Sequence, residues 1–148
     1  MSFDAQSFLD AAVTTANDTK LIPVPMGEYT GVIEKIAPRP WQSQDGTQSG
    51  VSLDVTWIVE DENVKALLGR TSVTVRQNIM LDVTPEGSMD MSKGKNVGIG
   101  RLREAVGKNT PGESFSFAML PGLMAKIDVK HREYKGDMFA EVKAVAKM

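Results

Sequence analysis

Eight residues of this 148-residue chain combine cations with aromatic rings: Arg39, Trp41, Arg76, Lys126, Lys130, Arg132, Tyr134 and Lys135. Guanidinium and ammonium groups pair with phosphates, and indole or phenol faces stack on bases, so the set has the chemistry a single-stranded nucleic acid requires. Lys126, Lys130 and Arg132 share parity, as side chains on one face of a strand do. Arg39 and Trp41 fall within PRPWQSQDGTQSG (38–50), a polar stretch that reads as a loop in which no core demands a tryptophan. Trp41 therefore reads either as a stacking platform or as a ring folded back over the end of the core. Phe139, in phase with Glu141 and Lys143, reads equally as a stacking platform or as packing for an N-terminal helix.

Other chemistries fail on spacing or composition. Gly98, Gly100 and Gly107-Lys108-Asn109 lack the spacing of a phosphate-binding loop, and no Ser or Thr follows the lysine. Glu60, Asp61 and Glu62 could hold Mg²⁺, but three consecutive acids leaving a strand read as a solvated turn. A metal-dependent nuclease using Asp54 or Glu60 is the enzyme reading that remains, behind a non-catalytic one. His131, the single histidine, has no Ser or Cys partner in a nucleophilic motif. Asn17-Asp18-Thr19 matches a glycosylation acceptor, with no secretion signal to give it meaning. Cysteine is absent, which excludes disulfides and thiolate metal sites. No cofactor is expected.

Charge is unevenly spread although the net is only −2. Residues 1–62 hold ten acids and three bases, whereas residues 63–148 hold nine acids and fourteen bases, so a polyanion would meet the second half. The start of the chain has acids at Asp4 and Asp10 and no base before Lys20, unlike a signal peptide. No stretch approaches the roughly 20 apolar residues of a membrane span. The expected compartment is the cytoplasm, that of a host cell if the chain is viral.

The elements that must carry these residues are mostly strands. Val51, Leu53, Val55, Trp57 and Val59 alternate strictly with Ser52, Asp54, Thr56 and Ile58, the pattern of a strand with one buried face. A first strand spans 27–37, with Thr30, Val32 and Ile36 on one face and Tyr29 and Ile33 on the other, and Gly31 permits a bend. A third spans 70–81, with Val73, Val75, Ile79 and Leu81 inward. Asn96 caps a helix running to Val106 that buries Val97, Leu102 and Val106. Residues 115–120 form a short extended run. A fourth strand, 124–132, turns Ala125, Ile127 and Val129 inward, and a fifth, 138–145, turns Met138, Ala140, Val142 and Ala144 inward. Phe8, Leu9, Val13 and the alanines of 4–16 suit a short helix laid on the barrel or across to a second copy, away from nucleic acid.

Three strands, a helix and two strands give the order of an all-β, five-stranded OB-like Greek-key barrel, with a helix between strands three and four. A β-sandwich is the competing architecture. Residues 1–24 form an N-terminal helix and extension, and 25–148 the barrel domain. The succession GEYTGVIEKI, VSLDVTWIVED, GRLREAVG and LPGLMAKIDVKHREYKGDMFAEV resembles the OB-fold single-stranded DNA-binding proteins of bacteriophage replication modules. That resemblance implies non-catalytic binding of single-stranded DNA in replication or recombination, a viral origin, and aromatic and basic contacts from the barrel face; a homodimer and replication or recombination proteins are the further partners expected. Many such proteins end in an acidic tail that recruits enzymes, whereas this chain ends EVKAVAKM. The alternative reading is a protein-binding module or virion component using the same loops.

Overall fold

Alternation in the second strand becomes the barrel wall. The computed structural model describes residues 2–148, with α1 (Ala5–Asp10), β1 (Gly27–Gln42), β2 (Ser49–Val59), α2 (Glu62–Leu68), β3 (Thr74–Leu81), α3 (Val97–Ala105), β4 (Met124–Tyr134) and β5 (Asp137–Ala146). A 3-10 turn at Phe117–Met119 precedes β4. The strands pair in the order β1-β2-β3-β5-β4, and β4 returns to β1, closing the sheet on itself. Every pairing is antiparallel except that of β3 with β5, which meet at Arg76 and Glu141.

Leu53, Val55, Trp57 and Val59 of β2 are buried against Ile33, Val75, Ile79, Ala125, Ile127 and Val129. Trp57 is 0% exposed, and its Nε1–H donates to Gln77 Oε1 at 2.9 Å, so the indole enters the core without an orphaned donor. Gly31 makes room for it. A Cβ there would sit 2.9 Å from both Trp57 Cε3 and Ile127 Cδ1, so close approach, rather than a bend alone, is what this glycine provides.

Two β-bulges correct the inward sets expected from alternation. In β1 the register shifts between Ile33 and Lys35, so Ile36 joins Ile33 in packing toward the core instead of facing away from it. In β5 the shift opposite Asp128 and Val129 leaves Lys143 without a partner, and Val145 packs on the core in place of Ala144. Met138, expected inside, lies in the exposed end of the β4–β5 hairpin.

β1 runs on to Gln42, so the expected loop of 38–50 shrinks to a turn over 43–48, and Trp41 lies in a strand opposite Gly50. The acids at 60–62 open α2, an unexpected helix. Asp61 Oδ1 accepts the Val64 N–H at 3.0 Å, and Gly69 ends the helix at φ 64°. α3 buries Ile99, Leu102 and Ala105, leaving Val97 exposed and Val106 half-buried. Asn96 does not cap it through its side chain. That side chain bonds the Asp82 N–H and the carbonyls of Asp82 and Asp90, tying the 82–96 connection to the helix start. The extended run expected over 115–120 contains the 3-10 turn, with Leu120 buried.

Of the two placements expected for the N-terminal segment, packing on its own barrel is not the one found. α1 buries no residue, and Phe8, Leu9 and Val13 are exposed rather than packed on the barrel. The segment meets the barrel at Lys20, whose Nζ donates to the Gly136 carbonyl at 2.9 Å, and at Val24, which is buried and whose carbonyl accepts from His131 Nε2 at 2.7 Å. Among the described residues no helix is long and apolar enough to cross a membrane.

Candidate nucleic-acid interface

Strand register decides which cations meet. Beyond its bulge, β1 pairs Lys35 with Thr56, Ala37 with Asp54 and Arg39 with Ser52. β2 in turn sets Thr56 beside Arg76 and Asp54 beside Asn78, and β3 sets Arg76 beside Glu141. β5 then places Glu141 beside Lys130 and Phe139 beside Arg132. Outward side chains of all five strands thereby share one curved face.

A groove of about 730 Å³ crosses this face, lined among others by Arg39, Asp54, Arg76, Asn78, Arg132 and Phe139. Glu141 and Leu21 complete its rim. A second cleft, about 420 Å³, shares Gln77, Asn78 and Glu141 with it and runs between β3 and β5 to Arg101 and Lys143. The seam is open because only one residue pair joins β3 to β5 among the described residues.

Of the eight candidates, Arg39, Arg76 and Arg132 are brought together in the groove. Lys130 flanks it opposite Glu141, with Nζ 3.7 Å from Asp128 Oδ1. Tyr134 and Lys135 project from the β4–β5 turn, where Lys135 and Gly136 take φ values of 50° and 81°, the positive pair of a two-residue hairpin loop. Lys135 Nζ stands 5.3 Å from the Tyr134 ring centre. Lys126, between Thr30 of β1 and Ala146 of β5, lies outside the groove lining.

Trp41 is two residues from Arg39 and, like it, faces outward. Its half-buried indole lies on Gly50, where a Cβ would approach the ring to 2.9 Å, and its Nε1 is buried without a partner. Neither a free loop position nor a plug in the barrel describes it. The ring stiffens an extended hairpin whose turn is tied by Asp45. Oδ1 of that residue accepts from the Ser43 hydroxyl at 2.6 Å, the Thr47 hydroxyl at 2.8 Å and the Thr47 N–H at 3.0 Å. The Ser43 hydroxyl and the Thr47 donors hold the carboxyl down at about 2.

Two carboxylates, Asp54 and Glu141, and the ring of Phe139, one of whose two expected roles was a stacking platform, complete the groove. Arg39 Nε lies 3.0 Å from Asp54 Oδ2, and the hydrogen bond and charge of that carboxylate hold the guanidinium above its ordinary range. Glu141 sits between Lys143 Nζ at 2.8 Å and Arg132 Nε at 3.8 Å. Phe139 is 44% exposed and among the described residues no helix covers it, although Thr19, Lys20 and Leu21 run beside it. Its parity with Glu141 and Lys143 was the available signal. Among the described residues no three carboxylate or imidazole groups gather as a metal site, and Asp61 is spent as a helix cap. No family model matches the chain, and no curated protein matches it.

Proposed function

We propose that this chain is an OB-like Greek-key barrel that binds single-stranded DNA without catalysis, as a phage replication or recombination protein does. The ring order β1-β2-β3-β5-β4, the parallel β3–β5 contact and the position of α3 between β3 and β4 support the architecture. The observation that carries the function is the convergence of Arg39, Arg76 and Arg132 around the open face of Phe139 in one solvent-accessible groove. Phosphates would be met by the guanidinium groups and a base by the phenyl ring. Trp41 and Tyr134 offer further rings on the two flanking hairpins, and Lys130, Lys126 and Lys135 further charge.

The test is an anisotropy titration with labelled single- and double-stranded oligonucleotides at two salt concentrations. Single strands are expected to bind tighter, with log affinity falling by about 0.7 per neutralised phosphate for each decade of salt. Absence of binding at about 50 mM salt, where phosphate contacts are strongest, overturns the reading. One observation favours a protein-binding module as the second reading: Phe3, Phe8, Leu9 and Val13 form an exposed apolar stretch outside the barrel. That reading predicts a partner captured with little dependence on salt.

A further inference from the structure

We propose that Asp54 and Glu141 are built-in competitors for the cations of the groove and of the cleft beside it, so that a DNA strand binds by exchanging carboxylate for phosphate at Arg39 and Arg132 in the groove and at Lys143 in the cleft. The inference rests on the single-stranded DNA reading and adds to it the residues that set its strength and ligand length. Arg39 presents a fork to Asp54, with Nε 3.0 Å from Oδ2 and Nη2 3.5 Å from Oδ1. A phosphodiester offers the same two-oxygen geometry. Glu141 likewise holds Lys143 and Arg132 from its two oxygens, and both carboxylates line the groove itself.

Arg76 differs. It lies between these pairs, and among the described residues no carboxylate comes within 4.0 Å of it. A first phosphate therefore docks on Arg76 without displacing anything, and its neighbours along the strand then compete for Arg39 on one side and Arg132 on the other. The cations of these pairs are more than half exposed and the carboxylates only partly buried, so the pairs are weak and a run of phosphates can open them, whereas a lone phosphate gains only the Arg76 contact. The expected ligand is thus a polynucleotide strand rather than a mononucleotide. Each phosphate that replaces a carboxylate still feels its repulsion, which lowers both affinity and salt dependence below what the count of cations alone would give.

The test uses labelled oligothymidylate with the full chain and the variants Asp54→Asn and Glu141→Gln, alongside Glu113→Gln as an exposed acid outside the groove. Asp54→Asn is expected to bind up to about fivefold tighter at low salt, the upper end of the range set by one exposed ion pair. Its salt slope is expected to steepen by about 0.7, one phosphate's worth. Glu113→Gln is expected to do neither. In an Arg39→Ala background the gain from Asp54→Asn is expected to shrink, because only the carboxylate's repulsion of the strand, and no competition for Arg39, is left to relieve. Unchanged or weaker binding by Asp54→Asn, with normal wild-type binding, overturns the inference and makes the carboxylate a positioning group for Arg39. Thymidine monophosphate binding as tightly as the oligomer also overturns it. A wild-type chain that binds no oligonucleotide overturns the function itself. Asp54 is partly exposed, so its variant carries the test if Glu141→Gln melts early.

Discussion

The two tryptophans rest on glycines in the same way and to opposite ends. Trp57 of β2 lies on Gly31 of β1, and Trp41 of β1 lies on Gly50 of β2, each ring 2.9 Å from where the glycine's Cβ would be. Trp57 itself is fully buried and its ring N–H is paired with Gln77, which reaches the floor of the groove. Around Trp41 the ring is half-exposed, its N–H has no partner among the described residues, and the two strands beneath it extend as a hairpin that also carries Arg39 on its outward face. The same glycine-under-indole contact builds a core in one region and stiffens an arm beside the groove in the other.

The largest effect expected from this contrast is on Trp57. Trp57→Ala should cost about 3 to 5 kcal/mol of stability, the range for a large buried aromatic, read as a shift in denaturant midpoint. Gly31→Ala comes next, because the added methyl meets the fully buried Trp57 and Ile127 and neither can swing to solvent. Its cost should be about 1 to 3 kcal/mol, and Gly50→Ala should cost clearly less because Trp41 can lift away. Equal losses from the two glycine variants would erase the distinction between core and arm.

Trp41→Ala should take about 0.2 to 1 kcal/mol from stability, as for one cross-strand pair. Its effect on binding should be larger, about 1 to 3 kcal/mol, if a base stacks on the indole. A Trp57→Phe background leaves Trp41 as the sole tryptophan, and single-stranded DNA should then quench its emission. Lost stability with unchanged affinity would make Trp41 a brace alone.

The alternation of β2 was legible because that strand pairs on both sides and keeps one phase through Leu53, Val55, Trp57 and Val59. Ile36 and Ala144 were misplaced because each lies beyond a bulge, and a bulge is a property of two paired strands rather than of one. The strand carrying Trp41 was hidden by Pro38 and Pro40. Prolines are tolerated there because β1 has left β4 after Val32, so the side lacking N–H groups faces a free edge. α2 spans only seven residues, too few for periodicity to reveal, although Asp61 and Gly69 marked its ends. Arg39, Arg76 and Arg132 could be chosen as cations from the sequence, but their convergence with Asp54, Phe139 and Glu141 depends on pairings between distant strands. The helix of α1 was legible from its apolar spacing, but among the described residues no part of the barrel receives that face.

The smallest expected effect separates the two regions by pH. Asp45 ties the turn beyond Trp41, and the donors of Ser43 and Thr47 lower its carboxyl from the ordinary 3.8 to about 2. A carboxyl depressed in the folded state contributes stability that is full above its unfolded value and is lost as the pH falls through the folded one. The turn should therefore hold through pH 4 and loosen only toward pH 2. The Trp57, Gln77 and Gly31 cluster contains no titrating side chain, so its signals should stay still over that window. Following the Thr47 amide and the two indole N–H resonances by NMR reads both regions in one titration. The Thr47 amide and Trp41 should shift together near pH 2 with Trp57 unmoved, and Asp45→Asn should abolish the shift. A midpoint at the ordinary carboxylate value would show that Asp45 does not hold the turn, and a parallel movement of Trp57 would show that arm and core are one cooperative unit.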